Sequence, residues 1–190
     1  MTRRVRGFTL VEVLVALVII ALGLLGVAKL QAVALSSTGT AGKRSIAALE
    51  AAGMAAAMHA DRGYWTSATI GTTTVSNNSF VSTDASLNPA ANCRGLASPG
   101  CVQADMASYD LTQWATSLNS TLGSTYQAII TCTPPAAGPP QLPAACYIQL
   151  QWTENSIGVG TTQANAAQAN AAAGNPAAIQ TPTYVLYVTP

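Results

Sequence analysis

Charge is what this chain has least of. Asp, Glu, Lys and Arg make up 8% of its 190 residues, against roughly a quarter in an ordinary soluble domain. Eight basic residues stand against seven acidic ones, and three of the eight are Arg3, Arg4 and Arg6. Beyond them the balance is acidic and no basic stripe exists. That speaks against a grip on nucleic acid, because phosphate neutralisation supplies most non-specific affinity. Histidine is reduced to His59. Its nearest carboxylate in sequence, Asp61, is two residues away, a spacing that does not share a helix face. A serine nucleophile needs a base beside it, so no catalytic set can be assembled. The cysteines include no C-x-x-C pair, which with one histidine argues against zinc. No glycine-rich phosphate loop is present, since Gly23 and Gly26 lie inside an apolar run. The chain reads as neither an enzyme nor a cofactor carrier. Its surface must be made of Ser, Thr, Asn, Gln and Ala, which suits packing against copies or relatives of itself.

What is abundant is apolar sequence near the amino terminus. From Phe8 to Ala28 there are 21 residues with Glu12 as the only charge. At about 1.5 Å per residue such a helix crosses a hydrocarbon core of roughly 30 Å. The three preceding arginines set its orientation, because basic flanks stay cytoplasmic. A carboxylate in that run costs about 2.5–3.5 kcal/mol at mid-membrane and less near the interface, so Glu12 calls for a cationic partner. A secretory signal peptide is a poor description. The run exceeds the usual apolar region, and no A-x-A site closes it. The plausible cleavage point lies before the run, between Gly7 and Phe8.

Gly7-Phe8-Thr9-Leu10-Val11-Glu12 followed by an apolar helix resembles the class III signal of type IV pilins and type II secretion pseudopilins. The continuation from Leu14 to Gln31, through Gly23-Leu-Leu-Gly26, resembles more narrowly the PilV-type minor pilins. The resemblance implies an α+β, pilin-like fold: a long N-terminal helix packed on a small antiparallel β-sheet domain, with a second short helix and two disulfides. It implies a prepilin peptidase that cuts after Gly7, N-methylation of Phe8, and a docking role for Glu12 against the ammonium of Phe8 in an adjacent subunit. The implied partners are that peptidase, other minor and major pilins, the inner-membrane assembly platform and inner-membrane lipid. The implied location is the inner membrane of a Gram-negative bacterium with a periplasmic domain, then the pilus. The corresponding division is 1–7 leader, 8–30 transmembrane or filament-core half-helix, 31–62 amphipathic half-helix and 63–190 disulfide-bonded domain. Many major pilins carry a proline in the transmembrane half. This chain has none there, which leaves Gly23 and Gly26 as points of local melting. The rivals are a secretion pseudopilin and a pilin-like receptor for DNA or a surface. A DNA receptor needs basic residues, and beyond the helix only Arg62 and Arg94 are available.

From Lys29 to Ala60 the sequence stays rich in Ala, Leu, Met and Gln without proline, so the helix continues. Leu30, Val33, Ala34, Ile46, Leu49, Met54 and Met58 mostly keep helical spacing. Ser37-Thr38-Gly39-Thr40 is its weakest patch, and Gly63 is available to cap its end. Thr66 to Ser86 reads as a loop with short strands at 72–75 and 80–81, and the N-x-S match at Asn77 as chance. Ala104 to Leu122 is an amphipathic second helix built on Met106, Tyr109, Leu111, Trp114, Leu118 and Leu122, with Trp114 in the core. The spacing of Asp110, Leu111, Trp114 and Leu118 again resembles the PilV-type proteins. Tyr126–Cys132 and Cys146–Trp152 read as antiparallel strands, the second alternating Ile148, Leu150 and Trp152 against Tyr147, Gln149 and Gln151. The five prolines between Thr133 and Ala145 forbid a strand there. Four cysteines beyond an exported span suggest two disulfides and allow three connectivities. Cys93 and Cys101 flank a turn-rich stretch, and Cys132 and Cys146 stand at the base of the hairpin, so these two pairings are preferred. Glu154 to Pro182, with its tandem Gln-Ala-Asn-Ala-Ala at 163–167 and 168–172, reads as a long exposed loop. Tyr184–Val188 is a last strand, placed beside 148–152 or its neighbour.

Overall fold

The computed structural model of the chain describes residues 9–67, 71–94, 100–136, 142–155 and 179–190. Helix α1 runs from Leu10 to Ala60, 51 residues, roughly 75 Å at 1.5 Å per residue. It passes unbroken through Ser37–Thr40. There Thr38 donates its hydroxyl to the carbonyl of Ala34 at 2.9 Å, so the side chain is satisfied within the helix and does not compete with it. The two ends of α1 differ in kind. Residues 10–32 are exposed all round, while Ala47, Ala51, Met54 and Met58 are buried on one stripe. Leu49 stays 72% exposed, because two residues at about 100° each turn it away from that stripe.

Gly63 does not cap α1. The helix ends at Asp61, with φ −114° and its N–H bonded to Ala57, and Arg62–Trp65 form a single further turn, α2. Gly63 lies outside the left-handed region. Its lack of a side chain leaves room for the amide of Gln103, which occupies the place of a Cβ.

Strands β1 (Thr72–Ser76) and β2 (Ser79–Ser82) form a hairpin where a mostly irregular loop is expected from the sequence. Asn77 and Asn78 both take positive φ, 49° and 62°. That pair of left-handed residues makes the turn whose twist matches antiparallel strands. Then come α3 (Gln103–Leu122), β3 (Gln127–Thr133), β4 (Ala145–Gln151), β5 (Glu154–Asn155), β6 (Ile179–Gln180) and β7 (Thr183–Val188). Five strands join in the order β2-β1-β3-β4-β7, every pair antiparallel. β5 and β6 pair separately. The tandem repeat lies outside the described residues.

One face of the sheet is core. Val75, Phe80, Ala128, Ile130, Ile148 and Leu150 are buried on it. Both long helices cover that face: α1 lies against β4 and β7, and α3 against β1 and β2. Ala47 and Ala51 are small enough for α3 to approach α1, presenting Leu111, Trp114, Ala115 and Leu118. Met106 is 39% exposed, contrary to its place in the expected stripe. Ala107 and Ser108 are buried in its stead, because close packing favours small residues there. The result is the pilin-like α+β arrangement of a long N-terminal helix, a small antiparallel sheet, an extra helix and two disulfides.

Candidate functional site

At the amino-terminal end, Thr9 is the N-cap of α1, with extended φ and ψ of −84° and 147°. Its hydroxyl and carbonyl both accept from the N–H of Glu12, at 3.4 and 3.1 Å. Thr9-Leu10-Val11-Glu12 is therefore a capping-box spacing as well as a charge in an apolar run. Threonine satisfies an otherwise orphan donor, and Glu12 sits in the first turn, where the helix dipole favours a carboxylate. Gly7 and Phe8 lie outside the described residues. Glu12 is exposed, as is every residue of α1 as far as Ala32.

A second cluster fixes the helix to the domain. Arg44 on α1 grips Glu154 at the start of β5 through two bonds, Nε to Oε1 at 3.2 Å and Nη2 to Oε2 at 2.9 Å. The Arg44 side chain is 57% exposed and that of Glu154 only 3%. Trp152 donates its indole N–H to the same carboxylate at 2.9 Å. Burial pushes the Glu154 carboxyl up, but the bonds from Arg44 and Trp152 and the charges of Arg44 and Lys43 outweigh it and hold it below the usual range. Glu154 was expected in an exposed loop. It is instead a buried anchor, and a carboxylate is tolerated there because three donors meet it.

Two further contacts brace the same joint. Glu50 receives the Ser117 hydroxyl on its carboxylate at 2.7 Å and the Trp114 indole on its carbonyl at 3.1 Å, tying α3 to α1. Tyr64 donates to Asp84 at 2.8 Å, and the Ser86 N–H donates to the other oxygen of Asp84 at 2.9 Å. Burial and the Asp84 carboxylate drive the Tyr64 phenol far upward. For Asp84 burial works the other way from its hydrogen bonds to Ser86 and Tyr64, and the bonds win, so its carboxyl is held low. Asp61 keeps a buried oxygen with no partner among the described residues. Burial, with some repulsion from Asp110, pushes its carboxyl up.

The cysteines pair as Cys93–Cys101 and Cys132–Cys146, with no free thiol among the described residues. The second bond joins residues directly opposite in the β3–β4 ladder, with Cα atoms 4.0 Å apart. By loop-closure entropy the two are worth about 2.5 and about 3 kcal/mol. Among the described residues no group of three or more His, Cys, Asp or Glu is placed to hold a metal.

A family model described as the prokaryotic N-terminal methylation motif matches residues 2–28. Motif and fold together support a type IV pilin- or pseudopilin-like protein. Among curated proteins and solved structures, none matches the chain. The methylation motif implies processing by a prepilin peptidase and association with pilins, and the apolar half of α1 fits membrane anchoring. Of the residues singled out from sequence, the structure describes Glu12 and the four cysteines. It adds Thr9, Arg44 and Glu154. Thr9 was legible through its three-residue spacing to Glu12, whereas nothing local joins Arg44 to a carboxylate 110 positions away.

Proposed function

We propose that this pilin-like chain is a minor pilin of a type IV pilus, of the PilV type, acting in the initiating or tip complex. The observation that carries the reading is the methylation motif over residues 2–28, running straight into a continuous helix exposed all round to Ala32. A surface of that kind is stable only in lipid or among other helices. On this reading residues 1–7 are the leader, 8–30 the membrane or filament-core half, 31–62 the half that carries the domain, and 63–190 the periplasmic domain. Prepilin peptidase cuts between Gly7 and Phe8, and Phe8 is methylated. Glu12 then meets the new ammonium of an adjacent subunit. Pairing offsets the burial of both charges and sets the axial register.

Gly7→Leu should leave a product that retains residues 1–7 on intact-mass analysis in cells carrying the peptidase. Normal processing overturns the assignment. Glu12→Ala should be cleaved as usual yet reach sheared filaments about tenfold less, the loss of roughly one paired charge. Equal incorporation removes the register role. A secretion pseudopilin shares the amino terminus; the two disulfides and the placement of Trp114 favour the pilus. Recovery of the chain only with secretion-system pseudopilins would reverse that choice.

A further inference from the structure

Both disulfides join cysteines that are neighbours along the chain, first to second and third to fourth, at separations of 8 and 14 residues. The other two connectivities would close loops of 31 residues, Cys101 to Cys132, up to 53, Cys93 to Cys146. Closure cost rises as (3/2)RT ln n, so chain statistics favour the observed connectivity over either alternative by on the order of fifty-fold. The structure adds a second local bias. Cys132 and Cys146 are directly opposite in the β3–β4 ladder, so pairing of that one hairpin brings their sulfurs together without the rest of the fold. Neither bond needs the other, because Cys93–Cys101 lies between β2 and α3, outside the sheet.

The two bonds differ in access. Cys132 and Cys146 belong to the core, 8% and 2% exposed, on the side of the sheet where α1 lies against β4 and β7. Once the carboxyl-terminal half of α1 docks there, no enzyme reaches those sulfurs. A wrong pairing sealed under α1 cannot be reshuffled without unfolding, and a thiol pair sealed there cannot be oxidised. Cys93 and Cys101 are half-buried and stay within reach. We infer that the chain is a substrate of a protein dithiol oxidase and needs no disulfide isomerase, and that Cys132–Cys146 is oxidised before α1 docks on the sheet. For each bond, one cysteine thiolate attacks the oxidase's disulfide, giving a mixed disulfide and one free oxidase thiolate. The partner cysteine's thiolate then displaces the oxidase's second sulfur. Two electrons pass to the oxidase, and the two protons lost by the substrate thiols end on its dithiol. The inference rests on the filament reading in one respect, that the domain lies beyond the membrane, where such oxidants act.

The test follows the full chain in Gram-negative cells lacking either the exported dithiol oxidase or the exported disulfide isomerase. Free thiols are trapped with a maleimide, and pairings are mapped on non-reduced peptides. Without the isomerase, both native pairings are expected at the wild-type yield. Without the oxidase, fully paired chain should fall about tenfold. The double variant Cys93→Ser, Cys101→Ser should still close Cys132–Cys146 in isomerase-free cells. In the purified protein under dithiothreitol, Cys93–Cys101 should open at least about tenfold faster than Cys132–Cys146, which waits for the domain to open. Mispaired cysteines in isomerase-free cells overturn the inference, as does full pairing in oxidase-free cells. Failure of the double variant to close Cys132–Cys146 overturns the independence of the two bonds. Equal or inverted reduction rates overturn the sealing by α1, and with it the order of oxidation and docking. Free thiols at all four positions in wild-type cells overturn instead the placing of the domain beyond the membrane.

Discussion

Glu154 is the residue on which helix and domain meet. Held below the usual carboxylate range, it contributes stability above its unfolded value of about 4.3, and that stability is lost as pH falls through its folded value. Asp84 acts with the same sign. Asp61 and Asp110 act with the opposite one: their carboxyls are raised by burial, so their contribution is present in acid and lost as pH rises through the folded value. The expected outcome for Glu154→Gln is a lower melting temperature than wild type at pH 7 and a gap that closes below about pH 4. Asp84 keeps part of the acid limb in both proteins. Thermal melts across pH 3–7 by circular dichroism check this. An undiminished gap in acid would assign the loss to packing alone.

Among the elements, the β1–β2 hairpin rests most on backbone conformation. Asn77 and Asn78 both occupy the left-handed region, and the Asn78 N–H donates to the Tyr126 hydroxyl at 3.3 Å. Tyr126 in turn donates to the carbonyl of Ala115 at 2.8 Å, so the turn is keyed to α3. Asn78→Ala should lower the unfolding free energy by about 1 kcal/mol, the cost of placing a side chain with no local hydrogen bond in that region. Asn78→Gly should match or exceed wild type by a few tenths of a kcal/mol. Urea denaturation with disulfides intact separates the two. The Asn-Asn pair was the signal for a hairpin in the sequence. It is weaker than Asn-Gly, and the flanking Thr and Ser blur the alternation that marks a strand.

At the scale of the whole molecule, a single helix serves two environments. Its carboxyl-terminal half is an integral part of the core: Met54 and Met58 are fully buried with Trp65, Leu111 and Leu118, each worth about 1.5–3 kcal/mol of burial. Among the described residues its amino-terminal half packs on nothing in the domain, with residues 10–32 exposed throughout. A chain starting at residue 33 should therefore be soluble without detergent and melt within about 3 °C of the full protein, a shift below roughly 1 kcal/mol. Differential scanning calorimetry on the two proteins checks it. A large loss would mean that the apolar half supports the domain, which its exposure contradicts.

The amino-acid sequence by itself determined much of what depends on near neighbours, though not the Asn77-Asn78 turn of the β1–β2 hairpin. The apolar run after Gly7, the Thr9–Glu12 spacing, the alternation along β4 and the cysteines at the base of the β3–β4 hairpin are local patterns. A helix or strand is periodic over a few residues, so such patterns survive without the fold. The tertiary structure decided what depends on distance. Arg44 reaches Glu154 across 110 positions, and Glu50 receives Trp114 across 64. Gly63 accommodates Gln103 where it had been given the part of a helix cap. Partner choice across a sheet or between helices is set by packing, and packing leaves no periodic trace in either partner's sequence.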